Sequence, residues 1–363
     1  MNKIVTFGEV MGRLAPENFL RFAQTLPGKL EFTFGGAESN VASSIAYLGG
    51  NASFVTALPE NPLGDACISC MRSLNVDTSH IIRKSGSRLG LYFLETGANQ
   101  RPSNVIYDRA ESAMARAKAN EYDWNEIFNG ASWLHISGIT PALSKNSAEA
   151  SLEAVKKAKE SGATVSCDLN FRKKLWNWDS SLKPRELAEK TMRQILPFVD
   201  VVIANEEDAS DVLSIHPENT DVNSGSLDTG KYPDVAKKII KQFNNISKVA
   251  ITLRESISAS HNNWGAMLYD AKEEKAFFAP LKDDSYFPYN IKDIVDRVGG
   301  GDSFAAGLIF AMTTPELSSS QDAIAFAVAS SCLAHSIKGD INYSSRKEVE
   351  NLMGGSASGR VVR

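Results

Sequence analysis

Three consecutive glycines, Gly299, Gly300 and Gly301, stand directly before Asp302 and an apolar run in DRVGGGDSFAAGLIFAM. Glycine has no Cβ, so successive backbone N–H groups there can turn into one cavity. A helix starting at this point adds unpaired amides and the positive end of its dipole. Together they make an anion hole sized for a transferring phosphoryl group. Asp302 at its mouth is placed to take the proton of an attacking alcohol. Phosphoryl transfer passes through a loose transition state, so positioning and charge stabilisation carry most of the rate. An Asp is also a good helix cap. Asp296 upstream, and Ala305, Ala306 and Gly307 downstream where helices can approach closely, shift the reading toward a site.

Such a site needs a rigid frame. Short apolar runs (KIVTFGEV, ASFVTAL, ASWLHISG, ATVSCDLN, DVVIAN, KVAITL, GAMLYD) alternate with helix-period stretches at 39–48, 62–74, 147–161, 185–196 and 232–244. This alternation predicts an α/β fold with a mostly parallel, doubly wound sheet between helices. Residues 14–34 and 89–109 carry alternating segments such as LEFTF and GLYFLET with Gly and Pro nearby. They are expected to form an inserted β lid on a body of residues 1–13, 35–88 and 110–345. A lid would keep water from a reactive phosphate donor, and its outer sheet face would seat a second copy as a homodimer or higher homo-oligomer. Residues 214–234 read as a polar surface loop. Residues 346–363 read as a helix end and a Gly/Ser-rich tail.

Other function classes find little support. The net charge is -4 with basic residues scattered, so no nucleic-acid footprint is expected. No long apolar run predicts a membrane span, and the first residues lack an export signal, which points to the cytoplasm. Cys67 and Cys70 form a CxxC, yet their helix-period setting predicts buried reduced thiols rather than a zinc or redox pair. GSLDTGKY, at 225–232, approaches a Walker A loop but has Tyr where a metal-binding hydroxyl belongs. GEVMG after the first strand lacks the GxGxxG spacing of a nicotinamide site.

DRVGGGDSFAAG resembles the signature DTxGAGDxFxxG of the PfkB, or ribokinase-like, carbohydrate kinases. FGGAESNVASSIAYLGG, at 34–50, resembles the same family's other signature, and the likeness extends over about residues 3–345. The resemblance implies a doubly wound α/β domain with a small β lid, and ATP and Mg²⁺ as phosphate donor and metal. It assigns Asp302 as catalytic base and Gly299–Gly301 as anion hole. Gly36 and Asn40 become the floor under the sugar hydroxyls. Asn205 and Asp208 in ANEEDASD fall on the family's NxxE motif, with Asp208 holding Mg²⁺ through water. Thr252, Arg254 and Gly265 fall where the nucleotide would bind, although the usual Gly-rich loop is replaced by RESISASHNNWG, expected as a longer loop. Arg297 replaces the family's Thr after the first motif Asp.

Three segments resemble those of the family's 2-keto-3-deoxygluconate kinases: GLYFLE with Tyr92, VIYDRAESAM with Tyr107 and Arg109, and CDLNFRKKLW with Arg172. The resemblance makes these four side chains substrate ligands, and the physics agrees. Two guanidinium groups in one pocket suit the planar carboxylate of a sugar acid better than a neutral sugar. The expectation is a kinase acting on the C6 hydroxyl of 2-keto-3-deoxygluconate. Fructokinase, ribokinase and 5-dehydro-2-deoxygluconokinase stay open, as does a non-catalytic sugar sensor on the same fold.

Overall fold

The computed structural model describes residues 2–205, 207–215 and 230–355. A nine-stranded sheet forms the centre. Its parallel part runs in the spatial order Asn51–Val55, Lys3–Phe7, Ala131–Ser137, Thr164–Asp168, Val201–Asn205 and Lys248–Ser258. The strands His261–Asp270, Lys275–Ala279 and Tyr289–Lys292 extend it antiparallel.

Alternate side chains of these strands supply two cores, because successive residues point to opposite sheet faces. Val5, Phe7, Leu134, Ile136, Val165, Val202 and Val249 pack under the helices Lys145–Glu160, Pro184–Ile195 and Tyr232–Gln242. Ile4, Phe54, Trp133, Ile203, Ala250 and Leu268 pack under Ala37–Tyr47, Gly300–Met312 and Ser320–Ala334. Both faces are covered, as the near-continuous apolar strands require. Local signals set the helix ends: Asn61 accepts the Leu63 and Gly64 N–H groups ahead of Pro62, and Ser345 and Glu348 form a capping box.

A separate four-stranded sheet is built from Met11–Ala15, Glu31–Gly35, Gly90–Glu95 and Asn104–Asp108. It draws on both segments expected to form a lid, but its first strand begins at Met11. KIVTFGEV is therefore not one strand. The chain leaves the central sheet at Gly8, where a Cβ would lie 2.1 Å from the Glu38 carboxyl carbon, and enters the small sheet three residues later.

RESISASHNNWG is not a loop either. The strands Lys248–Ser258 and His261–Asp270 pair as one long hairpin through Arg254↔Trp264 and on to Ser258↔His261. Cys67 and Cys70 are free thiols on the Pro62–Ser73 helix, and burial pushes the Cys67 thiol up to about 12. Most of the expected polar loop 214–234, the Walker-like GSLDTGKY except its last residues, and the tail beyond 355 lie outside the described residues. No helix among the described residues is long and apolar enough to cross a membrane.

Candidate active site

The carboxyl ends of the parallel strands, the place where open α/β sheets bind ligands, open into a cavity of about 740 Å³ under the small sheet. The glycine run enters it at the start of the Gly300–Met312 helix. Gly299 has φ +83° and could not carry a Cβ, which would sit 2.1 Å from the Asp340 carbonyl oxygen. Gly299 and Gly301 line the cavity; Gly300 is buried against His335.

Asp302 lines the cavity half-buried, and Asn40 Nδ2 donates to its Oδ2 at 2.7 Å. Burial raises the Asp302 pKa to about 7; the Asn40 bond and Arg172 work against the rise, while Asp340 and Glu38 add to it. A carboxylate poised there is matched to proton transfer near neutral pH. Asn40 itself is held by the Gly36 N–H, which donates to its Oδ1 at 3.2 Å.

All four expected sugar ligands line the same cavity, but two are already engaged. Tyr92 Oη donates to both carboxylate oxygens of Asp340, at 2.7 and 2.6 Å. Arg109, 4% exposed, meets Glu9, 2% exposed: Nε donates to Oε2 at 2.6 Å and Nη2 lies 2.5 Å from it. Ser112 donates to the other oxygen of Glu9. Arg109 Nη1 has no partner, so one edge of the guanidinium is anchored while a donor is left over. The Tyr107 ring centroid lies 5.7 Å from the Arg109 guanidinium carbon. Arg172 Nη1 donates to the Phe171 carbonyl, and no ion pair holds its charge among the described residues.

Of the expected nucleotide residues, Asn205, Thr252 and Arg254 line the cavity. Gly265 does not: it pairs with Leu253 inside the hairpin, where a Cβ would meet the Tyr286 hydroxyl at 2.4 Å. Asp208 lines the cavity, but its two oxygens accept the Phe171 and Asn205 N–H groups, each at 3.1 Å. Among the described residues no three acidic, His or Cys side chains gather into a metal cage. Asp168, however, lines the cavity with a pKa raised by burial and by the like charges of Asp208 and Asp302. This acidic wall fits Mg²⁺ held by phosphate oxygens and water rather than by direct protein ligands.

Sequence reasoning did not find the ionic knot beneath the glycine run. Arg13 of the small sheet binds Asp340 at 2.6 Å and also Asp296, and all three are buried. Burial opposes the Arg13 charge, but Asp340 and Asp296 outweigh it and raise its pKa. The knot ties the small sheet to the loop carrying Gly299. Glu9 and Asp340 have no local motif; only the unusual presence of a charge inside apolar strands could have flagged Arg13.

An α/β body whose strand ends open under a small sheet, onto a glycine run and a half-buried carboxyl group, is an arrangement suited to phosphoryl transfer to a small hydroxylated molecule. The chain belongs to the pfkB family of carbohydrate kinases, whose profile matches residues 1–347. It is 31% identical to 2-dehydro-3-deoxygalactonokinase of Haloferax volcanii over 98% of each chain. The crystal structure of 2-dehydro-3-deoxygluconokinase from Thermotoga maritima superposes with a TM-score of 0.87 at 44% identity, over 98% of this chain and 100% of that one. A fructokinase of Xylella fastidiosa with bound ATP shares the fold, with a TM-score of 0.74, 20% identity and coverage of 98% and 99%.

Proposed function

We propose that the protein transfers the γ-phosphoryl group of Mg·ATP to the C6 hydroxyl of 2-keto-3-deoxygluconate. The observation that carries this reading is one cavity lined by Asp302, Gly299, Gly301, Arg109 and Arg172. The sugar acid's carboxylate takes the spare Nη1 of Arg109 together with Arg172, and its hydroxyls rest on Gly36 and Asn40. Its terminal alcohol then faces Asp302. The alcohol oxygen attacks the γ-phosphorus in line and its proton passes to Asp302. The bond to the β-bridging oxygen breaks, and ADP leaves. Backbone amides of the glycine run stabilise charge on the transferring oxygens. Asp208 would hold Mg²⁺ through water, and the ion would supply positive charge to offset that of the phosphates.

The relative from Haloferax volcanii supports including the C4 epimer, 2-keto-3-deoxygalactonate, as a second substrate. The ³¹P NMR spectrum of the product tests the position of transfer. A phosphomonoester signal split by two methylene protons supports C6; a doublet from a single proton places the phosphate on a secondary carbon and refutes it.

The small sheet also leaves Phe32 and Ile106 exposed, at 42% and 50%. We assign this face to a second copy of the chain. Light scattering should give a dimer or higher assembly that Phe32→Asp weakens; a monomer at micromolar concentration would remove the assignment.

A further inference from the structure

The wall of the cavity formed by the long hairpin and the residues just before the glycine run has a charge balance that neither the sugar acid nor the base explains. Arg254 and Arg297 both line the cavity. Arg297 Nη2 donates to neutral acceptors, the Ser258 carbonyl at 2.6 Å and the Asn262 side-chain oxygen, and its buried Nε has no partner. Arg254 is exposed toward the cavity. Among the described residues, no carboxylate lies within ion-pair distance of either. Glu207 and Asp208 line the same cavity, but Asp208 is tied to backbone amides.

The contrast with the two buried arginines is sharp: Arg13 has two carboxylates and Arg109 has one. Trp264, cross-strand from Arg254 and also lining the cavity, is 5% exposed with an indole N–H that meets no acceptor. His335, whose ring lies 5.3 Å from that indole, has its pKa lowered by burial and then by Arg297 and Arg254, so their positive potential reaches it. Burial and Arg254 likewise lower the pKa of Arg297.

Holding two cations and a spare N–H together without an anion is costly in a partly desolvated wall. A ligand with several anionic oxygens would satisfy all three. Of the two substrates, the sugar acid has a single carboxylate, already served by Arg109 and Arg172. The triphosphate carries its charge along a chain of oxygens, and its γ end must reach the glycine run that begins two residues after Arg297.

We propose that Arg254, Arg297 and Trp264 form a cradle for the nucleotide's polyphosphate, taking the place of the glycine-rich loop that this hairpin lacks. This assignment rests on the kinase reading. The hairpin grips phosphate oxygens with guanidinium groups on a rigid β-ribbon. Arg297, bonded to the Ser258 carbonyl near the ribbon's tip, fixes the ribbon over the phosphates.

The test is calorimetric binding of inorganic tripolyphosphate, Mg·ATP and adenosine to the full chain and to Arg254→Gln and Arg297→Gln. Each lost charge-assisted contact should weaken tripolyphosphate and ATP about tenfold or more. Adenosine binding, and the KM of the sugar acid, should move by less than about twofold. Arg254 is exposed and carries no structural bond, so its variant stays interpretable if Arg297→Gln unfolds. Unchanged tripolyphosphate affinity in the variants, or a loss falling on the sugar acid instead, overturns the cradle and leaves the kinase reading standing. A wild-type protein that binds neither ATP nor tripolyphosphate overturns both.

Discussion

Replacing Asn40 by Ala should move the pH dependence of the enzyme in a direction and by an amount fixed by one hydrogen bond. Asn40 Nδ2 donates to Asp302 Oδ2 at 2.7 Å, and this bond favours the charged carboxylate. Burial has already raised the Asp302 pKa to about 7. A hydrogen bond to a charged group contributes about 1.5–3 kcal/mol, and one pKa unit corresponds to about 1.4 kcal/mol. Removing it should therefore raise the pKa by about 1–2 units. A base must be deprotonated to act, so activity rises with pH through its pKa. The ascending limb of kcat/KM, which reports the free enzyme, should lie near 7 in the wild type and at about 8–9 in Asn40→Ala. At pH 7 the variant would retain only about 3% of its own high-pH plateau if the shift is about 1.5 units. The assay is ADP release from pH 5.5 to 9.5, with thermal melts to confirm folding because the Gly36 N–H also loses its acceptor. A limb that stays at the wild-type position, or moves to lower pH, would refute the assignment of Asp302 as the titrating base.

Gly299→Ala should lower kcat about a hundredfold while changing the sugar-acid KM by less than about threefold. Positive φ alone costs about 1–3 kcal/mol, and the added Cβ would sit 2.1 Å from the Asp340 carbonyl oxygen; near-wild-type turnover would show that the amides need no such alignment. Arg13→Ala leaves Asp296 and Asp340 buried without their shared cation. Urea unfolding should register a loss of about 3–5 kcal/mol, and a loss below about 1 kcal/mol would mean that the knot contributes little to the fold.

The place of the glycine run and Asp302 was more legible than their supports. GGGD ahead of an apolar run is a local pattern with a local consequence, so Asp302 and the glycines could be read directly, and the strand–helix alternation carried the sheet between its two helix layers. The hairpin was misread because residues 254–263 leave the core: both faces of that ribbon are polar, and no apolar alternation marks them as strand. The family resemblance places Gly265 at the nucleotide, whereas in the hairpin it makes room for Tyr286. KIVTFGEV reads as one strand because nothing local marks the break at Gly8, whose lack of a Cβ makes room for Glu38, thirty positions away. The partners of Arg109, Arg13 and Tyr92 are Glu9, Asp296 and Asp340, at separations that no local pattern encodes. Tertiary contact decides which guanidinium donors are left over, and that decides which can hold a ligand.

The central claim is that one cavity joins a base near neutral pH to a guanidinium pair for a sugar acid. Its most direct test is a coupled ADP-release assay with Mg·ATP and a panel of 2-keto-3-deoxygluconate, its C4 epimer, fructose and ribose. The account predicts a kcat/KM for the deoxy sugar acids at least about a hundredfold above either neutral sugar, or about 2.7 kcal/mol of differential transition-state binding. Equal or better turnover of fructose or ribose would contradict the roles given to Arg109 and Arg172. Silence across the whole panel would contradict the account of the site.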